Sequence, residues 1–215
     1  MTAAGAGYTV FGSPGSGSAA IEMALRAAGQ RYRVRRASSW EPESDQPALH
    51  AANPLAQIPV LACPDGTVLT ESAAILIHLG LAHPEAGLLP AEAAARARAL
   101  RGLVFIAANC YAAVGISDHP ERWTTATTAA ARDKVRAAAR ANLHRHWEVM
   151  ADAFGSDPVL AAPPPGALAF LAVVVSQWSG SRQHLRVKRP SFHALIERLA
   201  AHPRLAAVLA EHQGG

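Results

Sequence analysis

Cysteine, lysine and aromatic side chains are all scarce in this sequence, and each shortage excludes something. The two cysteines, Cys63 and Cys110, fit no CxxC or Cys/His metal spacing, so neither a disulfide framework nor a zinc site is expected. A reduced, cytoplasmic setting is the natural reading. Lysine occurs only at Lys134 and Lys188, and aromatics make up 6% of the chain. Twenty basic residues against sixteen acidic ones leave a formal charge of +4. The arginines behind that charge are spread from Arg31 to Arg36, Arg96 to Arg101, Arg132 to Arg145 and Arg182 to Arg189. Binding to nucleic acid calls for a clustered stripe interleaved with aromatics, so no nucleic-acid partner is expected. A mild positive field favours small anionic ligands instead. The longest uninterrupted apolar run, Ala167–Val175, has nine residues. A membrane-spanning helix needs about twenty, so no membrane span is expected. The opening Met1-Thr-Ala-Ala-Gly-Ala-Gly has neither a basic nor an apolar leader segment, and no secretory signal is expected.

What remains is a chain of 215 residues, half of them hydrophobic, enough for one large domain or two small ones. The first part mixes two periods. Tyr8-Thr-Val-Phe11 reads as a buried strand, and Ser13-Pro-Gly-Ser-Gly-Ser18 as a loop. Ile21, Ala24, Leu25 and Ala28 then fall at helical spacing before Gly29. Tyr32–Arg36 alternates as a half-exposed strand does, and the polar stretch from Ser38 to Pro54 reads as a loop. Ile58–Leu61 and Thr67–Leu69 flank a Pro64-Asp-Gly66 turn, a hairpin pattern. Ser72–His83 is helical, with Ile75, Leu76 and Leu79 on one face.

From Pro90 onward no strand signal occurs. Leu100, Leu103, Val104 and Ala107 form one helical stripe. Val135, Ala139, Leu143, Trp147, Met150 and Phe154 form a second. Ala167–Trp178 is apolar nearly all round, as a bundle's central helix is. Phe192, Leu195, Ile196 and Leu199 form a further stripe, and Pro203 opens a last helix. The expected organisation is an α/β domain over residues 1–84, a linker over 85–91 and an all-α domain over 92–215.

Several chemistries find no support. His144 and His146 lie two apart on a helix and face different ways, and Asp118-His-Pro-Glu-Arg122 falls in a loop, so no metal is expected. There is no GxxxxGK[ST], the glycines at 12, 15 and 17 lack dinucleotide spacing, and no GxSxG is present.

Three segments carry a family resemblance. Asn53-Pro-Leu-Ala-Gln-Ile-Pro-Val-Leu61 and Thr70-Glu-Ser-Ala-Ala-Ile-Leu76 place Gln-Ile-Pro twelve residues ahead of Glu-Ser. The opening from Val10 through Ser18 to Gly29 is a strand, a loop and a helix. Together they resemble the soluble glutathione S-transferases, and the opening is most similar to bacterial beta-type members. The resemblance implies a thioredoxin-like N-terminal domain followed by a helical-bundle C-terminal domain, with glutathione as co-substrate and a homodimer. It implies a cis proline at Pro59, although an ordinary trans proline at a strand start would read the same way. The backbone of Ile58 would pair with the ligand's cysteinyl residue as an added strand, beside Gln57 and Pro59. Glu71 would meet the ligand's ammonium, while Ser72 and the first turn of its helix would hold the carboxylate. Those two residues also suit a plain helix start.

The ligand's thiol must become a thiolate, and lowering its pKa by two units takes about 2.7 kcal/mol. The cysteine that beta-type members carry in this loop falls at Gly17. The remaining hydroxyl candidates are Ser16 and Ser18 equally, then Ser13, and all three read as well as helix-capping serines. The second substrate would lie against Asn109, Tyr111 and Trp123, with Ile106, Cys110 and Val114 nearby, which allows an apolar or aromatic electrophile. The function implied is conjugation of glutathione to such an electrophile. The alternatives are a glutathione-binding or carrier protein without turnover, or a glutathione-dependent isomerase or reductase, with reduction disfavoured by Gly17. One further departure is Gly166-Ala-Leu-Ala169, which lacks the family's Ser/Thr-x-x-Asp cap at a cost of about 1 kcal/mol.

Overall fold

The computed structural model describes residues 7–161 and 163–213. The first six residues, from which the absence of a leader was read, lie outside them. Four strands form one sheet in the order β2-β1-β3-β4. β1 (Tyr8–Gly12) runs parallel to β2 (Tyr32–Arg36), with Val10 opposite Val34. It runs antiparallel to β3 (Val60–Ala62), with Val10 opposite Leu61, and β4 (Val68–Leu69) closes that side. All five β1 residues are buried, and successive side chains enter different cores. Val10 joins a large cluster with Leu25 and Leu76, whereas Phe11 joins a small one with Ala37, Leu49 and Val60.

Two local expectations are corrected here. β2 does not alternate: Val34 is 46% exposed, because β2 is an edge strand and the sheet's apolar layers lie over β1 and β3. The stretch expected as a loop contains helix α2 (Gln46–Ala52), which follows α1 (Ser18–Ala27) and precedes α3 (Ser72–Ala82). Asp45 caps α2 by accepting the Ala48 N–H at 3.1 Å, and Pro47 sits in its first turn. Leu49 is its one fully buried residue. A single buried position makes no periodicity, so the readable signal was the Asp-x-Pro start. The resulting order β-α-β-α-β-β-α is thioredoxin-like.

The rest of the described chain is helical. α4 (Ala93–Phe105) continues through a π turn, Ile106–Tyr111, into α5 (Ala112–Asp118). There follow α6 (Ala129–Phe154), α7 (Pro158–Ala161), α8 (Ala167–Val175), α9 (Ser181–Lys188), α10 (Pro190–Ala200) and α11 (Pro203–Gln213). Every residue of α8 is buried, and it packs on α1, α3, α4 and α10. One apolar core therefore runs from β1 to α11. Val104, expected to face inward, is 53% exposed. The helix over Ala93–Asp118 spans 26 residues and is by length and composition able to cross a membrane. Counting uninterrupted runs concealed it, because Arg98, Arg101 and Asn109 break the run. In this fold its Leu103, Ile106 and Cys110 are fully buried in the protein core.

The missing cap of α8 is replaced by backbone. The Leu88 carbonyl accepts the Ala167 N–H at 2.9 Å. A Cβ at Gly166 would lie 2.7 Å from that same oxygen, so the approach requires glycine. Arg204 clamps the junction by donating to the carbonyls of Ala86 at 3.2 Å and Pro165 at 3.3 Å.

Candidate active site

A cleft of about 770 Å³ lies between the sheet-bearing part of the chain and the helical part. Its floor is the turn joining β1 to α1. The φ of Gly15 is +72°, a left-handed conformation that glycine adopts at little cost. The turn's hydroxyls are all engaged within the protein. Ser16 Oγ accepts the N–H groups of Ser13 and Ser18, both at 3.3 Å, and donates to Ser18 Oγ at 3.0 Å. Ser18 Oγ donates to Glu22 at 3.3 Å, and Ser13 Oγ donates to Glu41. The Glu41 carboxyl is held below the usual carboxylate range, first by Arg36 and then by Ser13. Of the three serine candidates, only Ser16 lines the cleft; Ser18 and Ser13 point into the protein.

One wall brings together the peptide-binding candidates. The Ile58-Pro59 peptide is cis, and Gln57, Ile58 and Pro59 all face the cleft. Asn53 shapes this turn by donating to the Gln57 carbonyl at 2.9 Å and accepting the Leu55 N–H at 3.1 Å. Glu71 heads α3 at φ +67° and ψ 111°. That is a region a side chain other than glycine occupies only when its surroundings fix it. Glu71 and Ser72 line the same cleft, so the first turn of α3 opens onto it with its dipole positive end foremost.

The opposite wall comes from the helical part and includes Tyr111, Val114, Trp123 and Trp178. Asn109 is absent from it, because its amide donates back to the Phe105 carbonyl at 3.0 Å. Ile106 and Cys110 are buried in the core instead, and burial pushes the Cys110 thiol up to about 12. Trp123 stands 60% exposed at the rim. Tyr111 sits at the end of the π turn and meets the Trp178 ring edge-on, with centroids 5.3 Å apart. Its hydroxyl is buried and makes no hydrogen bond of ordinary geometry, although Ser72 lies close enough to act on it. A buried hydroxyl without a partner costs about 1–3 kcal/mol. Burial raises the Tyr111 phenol well above its ordinary value, with the Ser72 hydroxyl opposing and the Glu71 charge adding.

The same hydroxyl explains Gly17. A Cβ at position 17 would collide with the Tyr111 oxygen and lie 3.5 Å from Pro59 Cδ. Glycine is therefore the residue that leaves room for the phenol. Tyr8, by contrast, stays inside its strand and hydrogen-bonds His83 at 3.0 Å. Sequence reasoning overlooked Trp40, Asn53, Arg122 and Trp178, which also line the cleft. Trp178 was readable only as the end of an apolar helix, and Asn53 only as the opening of a motif.

Residues 18–81, from the start of α1 almost to the end of α3, match the family model for the glutathione S-transferase N-terminal domain. Over that segment the chain is similar to the glutathione S-transferases. It is 35% identical over 115 residues to the uncharacterized GST-like protein YncG of Escherichia coli (strain K12). That match covers 53% of this chain and spans only 56% of the relative's length. The family's fold extends over both parts of the chain. The glutathione transferase homolog from Sulfitobacter, solved with bound glutathione, superposes with a TM-score of 0.79 at 23% identity, covering 95% of this chain and 97% of the other. The nitrogen regulation fragment of the yeast prion protein Ure2p has a TM-score of 0.74 at 17% identity, covering 95% and 96%. Both likenesses concern the fold.

Proposed function

We propose that this chain binds glutathione in the cleft and conjugates it to an apolar or aromatic electrophile. One observation carries the reading: the turn at Gln57-Ile58-Pro59, a helix start at Glu71-Ser72 and the turn at Ser16-Gly17 line a single cleft, opposite an aromatic wall. The Ile58 backbone pairs with the cysteinyl residue of the peptide as an added strand does. The first turn of α3 holds a carboxylate, and Glu71 takes the neighbouring ammonium. The bound thiol loses its proton to solvent, and the sulfur uses its lone pair to form a carbon–sulfur bond. On an activated alkene, the displaced pair moves to the neighbouring atom, which takes a proton from water. At a carbon bearing a leaving group, that group departs with the pair. The Sulfitobacter homolog with bound glutathione supports the ligand. A cytoplasmic homodimer, with residues 85–91 as the joint between its two domains, belongs to the same reading.

Titration calorimetry at pH 7 with reduced glutathione tests it. Binding in the micromolar to millimolar range that Glu71→Ala removes is the expected result, and no binding by the unaltered protein overturns it. A second reading, a glutathione-binding protein without turnover, is favoured by the engagement of all three serine hydroxyls within the protein. An electrophile screen separates the two, since only the first gives a conjugate.

A further inference from the structure

Three features at the bottom of the cleft converge on one atom. The Tyr111 hydroxyl is buried without a hydrogen-bond partner, and Ser38, Ser117, Arg132 and Trp147, the other residues with such atoms among those described, do not line the cleft. Its oxygen lies over Gly17, in the space where a side chain at that position would begin. The residue closes the π turn Ile106–Tyr111 within the helix over Ala93–Asp118. π turns break the regular helical register and recur at functional sites.

The nearer hydroxyls are already committed. Ser16 gives its proton to Ser18, Ser18 gives its own to Glu22, and Ser13 donates to Glu41. None of them has a second proton to offer. Tyr111 has a free one.

We propose that the Tyr111 hydroxyl, supplied by the helical part of the chain, donates to the sulfur of the thiol bound in this cleft and does the work of a side chain at position 17. The assignment rests on the glutathione reading above. A cysteinyl residue paired with Ile58 lies beside Pro59, and Pro59 Cδ, Gly17 and the Tyr111 oxygen share one small volume. A hydrogen bond to an ionised sulfur is stronger than one to a neutral thiol, so the donor favours the thiolate. Tyr111 keeps its own proton throughout, and the thiol's proton leaves to water. Burial keeps the phenol protonated well past neutrality, so the donor stays available at any pH at which the thiol titrates.

Tyr111→Phe removes one oxygen that has no partner, so the fold is expected to persist, with an unchanged circular dichroism spectrum as its check. The decisive measurement is the thiolate absorbance of bound glutathione across pH 5–9, in the unaltered protein and in Tyr111→Phe. Calorimetry of glutathione and of S-methylglutathione runs alongside. The expected result is glutathione affinity within about threefold of the original, with about a tenfold loss of bound thiolate at pH 7. S-methylglutathione, having no ionisable thiol, should bind both proteins equally. An unshifted thiol titration in Tyr111→Phe overturns the assignment while leaving the glutathione reading intact. Tighter binding with an unshifted titration also overturns it and makes the phenol a plug. Failure of the unaltered protein to bind glutathione overturns both.

Discussion

Glu22 and His212, 190 positions apart, meet at 2.9 Å in the protein interior. The Nδ1 atom of His212 accepts the Gly15 N–H at 3.2 Å, so in the neutral ring Nε2 carries the hydrogen that it donates to Glu22. Glu22 in turn accepts from Ser18. The last helix thus holds the turn that forms the floor of the cleft.

His212→Ala should cost about 2–3 kcal/mol, because it leaves a buried carboxylate and a backbone N–H without their partner. Urea unfolding reads this directly. Adding Glu22→Gln to His212→Ala should cost much less than the two single effects together, since the groups form one network. Fully additive losses would show that the pair is not coupled.

A methyl group at position 17 must displace the Tyr111 hydroxyl or move the turn. Gly17→Ala is expected to destabilise by about 1–3 kcal/mol, the usual range for overpacking. The penalty should shrink in the Tyr111→Phe background, where the colliding oxygen is gone, and shrink further with Tyr111→Ala. Thermal denaturation of the four proteins gives the comparison. An equal loss in every background would separate Gly17 from the phenol.

Glu41 predicts a pH dependence. Arg36 first, then Ser13, hold its folded pKa below the ordinary value. A lowered carboxylate pKa contributes stability that is fully present above the unfolded value of about 4.3 and lost as pH falls through the folded one. The melting temperature of Glu41→Gln should therefore lie below that of the unaltered protein at pH 7. The two should converge as pH drops below that range. A gap that stays constant down to acid pH would assign the loss to packing.

The parts of this molecule legible in advance were those in which one segment carries its own signal. The four strands, the buried helix over Ala167–Val175 and the pairing of Ile58-Pro59 with Glu71-Ser72 in one cleft all follow from local pattern or short motif. α2 was missed because Leu49 alone cannot make a stripe, so its evidence lay in the Asp45 cap. The roles of Ser16, Ser18 and Tyr111 could not be separated from sequence. Which hydroxyl has a free proton depends on Glu22, Glu41 and a helix ninety residues away. Asn109 and Tyr111 looked alike on the page, yet the π turn aims one into the cleft and the other back at Phe105.

Gly166→Ala should destabilise by about 1–3 kcal/mol, because the new methyl meets the Leu88 carbonyl, which cannot rotate away as a side chain can. Gly115→Ala, facing open space, is the matched control and should be neutral or slightly stabilising, as alanine in a helix generally is. Equal melting temperatures for the two variants would argue against the backbone cap.

The π turn at Ile106–Tyr111 also has a consequence for descent. Such a turn holds one residue more than a regular one, and each helical residue advances the azimuth by about 100°. The wide turn absorbs that extra advance, so deleting a single codon there would restore an unbroken α-helix and leave Leu103 and Val114 near their present facing. What would change is the facing of the residues inside the turn, Tyr111 among them. Whether an aromatic hydroxyl reaches the cleft is thus recorded in the length of this helix as much as in the identity of its residues. A lineage that inserts or loses one position between Phe105 and Ala112 changes the chemistry at the floor of the cleft without replacing any side chain in it.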